Sequence, residues 1–249
     1  MSRLFLTSLV FFLFSLSTYA SNLTQTRNIY ILKSSGVCDG CAEAVSKMLF
    51  TVGLKSQILG PSELKANVTT DDMLVIGGGI PNSDGEWIIK QDLVKVGAFD
   101  WLKSFIANGG RYVGICAGAY LTEEWIDKNL GESGKGLDIF PGKIDNYSKR
   151  SKSTKFLLTE WPEMGTKRWV YFQDGPAFYP DMNSNVKVLA TYTADETPAA
   201  VTYTYGKGKV GLISPHLEAD EEWAKMYKLT DKDGIDYSYG IAIFRQVLE

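Results

Sequence analysis

Short apolar runs alternate with stretches of helical spacing along the first half of the chain. Asn28 to Leu32 and Met73 to Ile76 have strand character, and the second is closed by Gly77-Gly78-Gly79. Between them, about Asp39 to Phe50 puts Ala42, Val45, Met48 and Leu49 on one face, the signature of an amphipathic helix. Ala98 to Ala107 repeats that pattern with Phe99, Leu102, Phe105 and Ile106, and Asn108-Gly109-Gly110 stops it. Arg111 to Ile115 is the next strand, and Ala117 to Ile126 opens another helix. Strand alternating with helix predicts a mostly parallel central sheet with helices on both faces.

The second half changes character. Phe156 to Trp161, Trp169 to Phe172, Val186 to Tyr192, Ala199 to Tyr205 and Lys209 to Ser214 all read as strands. The turn Tyr205-Gly206-Lys207-Gly208-Lys209 predicts a hairpin between the last two. Ile235 to Leu248 closes the chain as a helix. The fold class is therefore α/β: a parallel core with an antiparallel strand extension in the C-terminal half, forming a single domain over residues 21–249.

Residues 1–20 stand outside that domain. Arg3 precedes the mostly apolar stretch Leu4 to Leu16, and Thr18-Tyr19-Ala20 supplies small residues ahead of Ser21. This is the pattern of a cleavable signal peptide. The stretch is shorter than the roughly 20 residues a spanning helix needs. A secreted or periplasmic protein without stable membrane insertion is the expectation. The formal net charge is −3 with no basic run, which argues against nucleic acid as a partner.

Three cysteines in an exported chain change the picture further, because thiols tend to pair there. Cys38-Asp39-Gly40-Cys41 is read as a local disulfide, with a redox dithiol as its rival. There is no second cysteine pair and the single histidine is distant, so no metal site is expected. Bridging Cys38 to Cys41 leaves Cys116 as an odd thiol in a secreted chain.

Cys116 lies in Gly114-Ile115-Cys116-Ala117-Gly118, where flanking glycines permit a sharp strand-to-helix turn that presents a nucleophile. The bland alternative is a buried cysteine acting as a small hydrophobe. The sole histidine, His216, follows a strand in Ser214-Pro215-His216-Leu217-Glu218. It can serve as base, with Glu218 fixing its tautomer. By themselves the two also read as a surface histidine and a solvated carboxylate. The N–H groups of Gly78, Gly79 and Ala117 can hold an oxyanion, or Gly77-Gly78-Gly79 can be an ordinary turn. Asn22, Asn67 and Asn146 each begin an N-x-Ser/Thr sequon.

Gly-Ile-Cys-Ala-Gly-Ala-Tyr, the glycine triplet and Ser-Pro-His-Leu-Glu resemble the class I glutamine amidotransferase-like superfamily. The resemblance is closest to the branch found as the N-terminal domain of some biotin–protein ligases. It covers roughly Asn28 to the end and includes Asp174-Gly175-Pro176-Ala177-Phe178. It implies a flavodoxin-like fold, with Cys116 as nucleophile, His216 as base and Glu218 as orienter. It also implies Gly78, Gly79 and Ala117 near the oxyanion. Ala117 directly follows the nucleophile, unlike the histidine common in the related protease-and-deglycase branch. The residues that grip glutamine in true amidotransferases are not recognised. The expected activity is a cysteine hydrolase using a Cys-His-Glu triad on a small-molecule or peptide amide, without a cofactor, and not a complete glutamine-dependent synthetase. A catalytically silent ligand-binding or regulatory module of the same fold is the alternative.

Overall fold

The computed structural model describes residues 27–83, 86–147 and 154–249. The expected signal peptide and the Asn22 sequon lie outside the described residues. Among the described residues, nine strands form one sheet in the order β2-β1-β3-β4-β11-β10-β9-β6-β7. Its parallel half contains β1 (Ile29–Leu32), β2 (Ser56–Leu59), β3 (Met73–Ile76), β4 (Arg111–Ile115) and β11 (Gly208–Ile213). Its antiparallel half contains β10 (Pro198–Tyr205), β9 (Lys187–Tyr192), β6 (Lys155–Trp161) and β7 (Thr166–Phe172).

The central strands are continuous apolar runs because both of their faces are covered. Successive side chains point to opposite faces. Tyr30, Leu32, Leu74 and Ile76 enter one core, where they meet Ile89 and Leu93 of helix α3 (Ile88–Lys95) and Phe99, Leu102 and Phe105 of α4 (Phe99–Ala107). Ile29, Ile31, Met73 and Val75 enter the other. There they meet Val45, Met48 and Leu49 of α1 (Cys41–Phe50) and Ile243, Phe244 and Val247 of α7 (Tyr237–Leu248). Full burial of such side chains contributes about 1.5–3 kcal/mol each.

The expected α/β class, the parallel core and the antiparallel extension all match this architecture. The hairpin at Gly206-Lys207 is present, with Tyr205 opposite Gly208. The helix expected over Ala117 to Ile126 is cut to one turn, α5 (Ala117–Tyr120). Long-range partners explain the stop. The carbonyls of Leu121, Thr122, Glu123 and Glu124 accept N–H groups from Leu137, Ile139, Asp138 and Gly136, so no helical i+4 donor takes them. Several elements lie outside the sequence expectations. They are edge strand β2, helix α3, helix α6 (Glu221–Met226), and the two-stranded ribbon of β5 (Gly142–Asn146) with β8 (Pro176–Pro180). A one-turn helix α2 (Leu64–Asn67) completes the set. Among the described residues, no helix is long and apolar enough to cross a membrane.

Candidate active site

The site forms at the carboxyl ends of β1, β3, β4 and β11, where the parallel strands release their loops. Cys116 directly follows β4. Its backbone lies at φ 49°, ψ −106°, outside the regions L-residues favour. Such strain costs on the order of 1–3 kcal/mol and points toward a functional constraint. The two flanking glycines make the elbow possible by close approach. A Cβ on Gly114 would lie 2.6 Å from the Gly118 carbonyl oxygen, and one on Gly118 would collide with the Ile76 carbonyl. Cys116 donates its N–H to Ile213 at 2.9 Å, which ties the elbow to the end of β11.

The loop after β11 carries His216 and Glu218. His216 donates its backbone N–H to the Tyr171 carbonyl at 2.8 Å, so the antiparallel extension holds the histidine loop in place. Glu218 is fully buried, and its Oε1 stands 2.8 Å from His216 Nδ1. Its other oxygen has no partner among the described residues. With Nδ1 occupied by the carboxylate, Nε2 is the ring nitrogen left for other chemistry. Burial alone lowers the imidazole pKa. The negative charges of Glu218 and Cys116, together with hydrogen bonds to both, outweigh burial and raise it to about 10. Cys116 and His216 border the same cavity.

Cys116, His216, Gly78 and Gly79 line one cavity of about 480 Å³. Glu218 sits behind His216 rather than on the cavity wall. Ala117 is fully buried. Among the described residues, no acceptor takes the N–H of Gly78, Gly79 or Ala117. A Cβ on Gly78 would lie 2.7 Å from His216 Cε1, so only glycine lets this loop approach the imidazole so closely.

Cys38 and Cys41 are disulfide-bonded with a Cα–Cα distance of 5.4 Å, and Cys116 is the free cysteine. Cys38 borders the same cavity. Among the described residues, no group of three or more His, Cys, Asp or Glu side chains is arranged to hold a metal ion.

Several contributors are not legible from local motifs. The loop between β7 and β8 packs over Cys116. The Cys116 thiol donates to the Gln173 carbonyl at 3.7 Å, and the Tyr120 hydroxyl donates to the Asp174 carbonyl at 3.3 Å. Asp174 takes φ 51°, and Gly175 packs so closely on Ser214 that a Cβ would collide with the Ser214 carbonyl. The Asp174-Gly175-Pro176-Ala177-Phe178 segment thus positions a cavity wall, a role its sequence does not announce. Trp223, 5.3 Å from the His216 ring, and Trp87, stacked on Tyr120 at 5.4 Å, add aromatic walls.

Residues 67–239 match the family described as biotin-protein ligase, N terminal. The chain belongs to the biotin-protein ligase N-terminal family. Family membership embraces the elbow, the histidine loop and the β7–β8 loop, all within the matched span. The biotin–protein ligase of Schizosaccharomyces pombe (strain 972 / ATCC 24843) is 27% identical over 150 residues, covering 53% of this chain and 24% of that protein. The imidazole glycerol phosphate synthase subunit HisH of Trichodesmium erythraeum (strain IMS101) is 28% identical over 129 residues, covering 47% and 57%. This family member thus spans about a quarter of the ligase and just over half of the synthase subunit. A crystal structure of a glutamine amidotransferase shares the fold with a TM-score of 0.59 at 19% identity, covering 76% of this chain and 90% of that one. A glutamine amidotransferase from Thermotoga maritima shares it at 0.52 and 14% identity, covering 90% and 89%.

Proposed function

We propose that this chain is an exported cysteine hydrolase that cleaves an amide or related acyl bond with a Cys116–His216–Glu218 triad. The observation that carries this reading is that the strained Cys116 and His216 line one cavity, with the buried Glu218 2.8 Å from His216 Nδ1. Cys116 attacks the carbonyl carbon as thiolate, and the carbonyl electrons move onto oxygen. The N–H groups of Gly78, Gly79 and Ala117 stabilise that oxygen. His216 gives its Nε2 proton to the leaving nitrogen as the C–N bond breaks, which leaves a thioester on Cys116. Water then attacks the thioester, His216 takes its proton, and the acid departs as the thiolate re-forms. Glu218 keeps the ring oriented throughout and balances its charge.

Export rests on Arg3, the Leu4 to Leu16 stretch and the small residues through Ala20. Mature protein recovered outside the cytoplasm with Ser21 at its start tests it.

A silent binding module is the second reading. It is favoured by the low exposure of Cys116, 6%, and by the thiol's contact with the Gln173 carbonyl. Turnover of a small-molecule and peptide amide panel separates the two. Hydrolysis abolished by Cys116→Ala supports the triad. Unchanged ligand binding in that variant, with no turnover by the wild type, supports the module.

A further inference from the structure

The Cys38–Cys41 disulfide has an asymmetry that bracing a helix does not require. Cys41 is fully buried at the first position of α1, a ten-residue helix, whereas Cys38 is partly exposed and borders the Cys116 cavity. The bond also stands beside the ionisable centre of the molecule. A Cβ on Gly78 would lie 3.0 Å from Cys38 Sγ and 2.7 Å from His216 Cε1, so the sulfur and the imidazole both crowd the Gly78 loop. The partly exposed residue of the pair is therefore open to attack, and the other sits at a helix start, whose dipole favours a thiolate.

We propose that Cys38–Cys41 is a thiol–disulfide exchange site that accepts electrons from a dithiol. One thiolate of the dithiol attacks Cys38 Sγ. The Cys38–Cys41 bond breaks, and Cys41 leaves as a thiolate that takes up a proton. The second thiol of the reductant then attacks its own sulfur in the mixed disulfide and releases Cys38 as a thiolate. The protein pair gains two electrons, and the dithiol becomes a disulfide. This site is separate from the hydrolytic reading, because Cys116 takes no part in the exchange.

The test uses folded full-length protein carrying Cys116→Ala, or wild type with Cys116 already alkylated if that variant does not fold. Reduced dithiothreitol is added without denaturant. Samples are acid-quenched, thiols are mass-tagged, and the fold is followed by circular dichroism. Two tagged thiols per chain are expected while the fold persists, appearing about ten-fold or more faster than global unfolding. Reduction that only keeps pace with global unfolding would overturn the proposal. In Cys41→Ser, hydroxyethyl disulfide is expected to leave a mixed disulfide on Cys38 in the folded protein. A folded variant with Cys38 unlabelled would also overturn it. Neither readout depends on hydrolysis, so failure of the Cys116 reading leaves this result intact.

Discussion

Glu218 Oε1 lies 2.8 Å from His216 Nδ1, and neither residue is more than 4% exposed. Removing the carboxylate's charge while keeping its shape isolates its role. Glu218→Gln takes away the opposite charge that favours the imidazolium and blurs the choice of tautomer. Alkylation of Cys116 by iodoacetamide at neutral pH is expected to slow about ten-fold or more, with circular dichroism unchanged. An unaltered rate would mean that Glu218 only fills space.

The elbow is tested at Gly118, which closes against β3. A Cβ there collides with the Ile76 carbonyl oxygen, which is backbone and has no rotamer by which to escape. Gly118→Ala is expected to lower unfolding stability by about 2 kcal/mol or more in urea titration. Gly40→Ala is a useful contrast: its added Cβ meets nothing within 4 Å, although its φ of 76° still carries strain.

Glu123 gives a pH signature away from the site. Burial raises its pKa to about 7, against a lowering by the hydrogen bond it accepts from the Ile144 N–H. The folded protein therefore holds this proton more tightly than the unfolded chain. The stability this contributes is full below pH 4.5 and is lost as pH rises through about 7. Glu123→Gln keeps an acceptor for Ile144 without the charge. It is expected to exceed wild type by about 1 kcal/mol at pH 8, allowing for partial solvent screening, and to match it near pH 4. Equal gains at both pH values would contradict the assignment.

Arg168 Nε holds the nearly buried Asp236 at 2.7 Å, and its Nη2 donates to the carbonyls of Gly234 and Ile235. This joins β7 to the start of α7. Arg168→Ala strands a buried carboxylate and is expected to cost about 3 kcal/mol in chemical denaturation. Arg168→Ala with Asp236→Asn is expected to recover part of that loss.

The elements legible in the sequence were those whose pattern reports local packing. Met73 to Ile76 and Arg111 to Ile115 are buried on both faces, and the apolar runs Met73 to Ile76 and Tyr112 to Ile115 say so. Ser56–Leu59 at the sheet edge has only Leu59 fully buried, so its pattern carries little strand signal. The short α5 could not be foreseen, because its stop depends on carbonyls taken by residues 136–140. In the site, Cys116, His216 and the glycine loop announce themselves by residue type and order. Gln173 and Asp174 do not, since they act through backbone carbonyls, which any residue carries.

The central claim is that Cys116 and His216 act as one electrostatically coupled site, and a chain with a single histidine allows the coupling to be read directly by proton NMR. His216 gains its raised pKa partly from the Cys116 charge, so its stabilising effect is full below pH 6.5 and fades as pH rises through about 10. Titrating the His216 ring resonance in wild type and in Cys116→Ala measures that coupling. The account predicts an imidazole still protonated above pH 8 in wild type, and a clearly lower midpoint in the variant. Superimposable titration curves would contradict it.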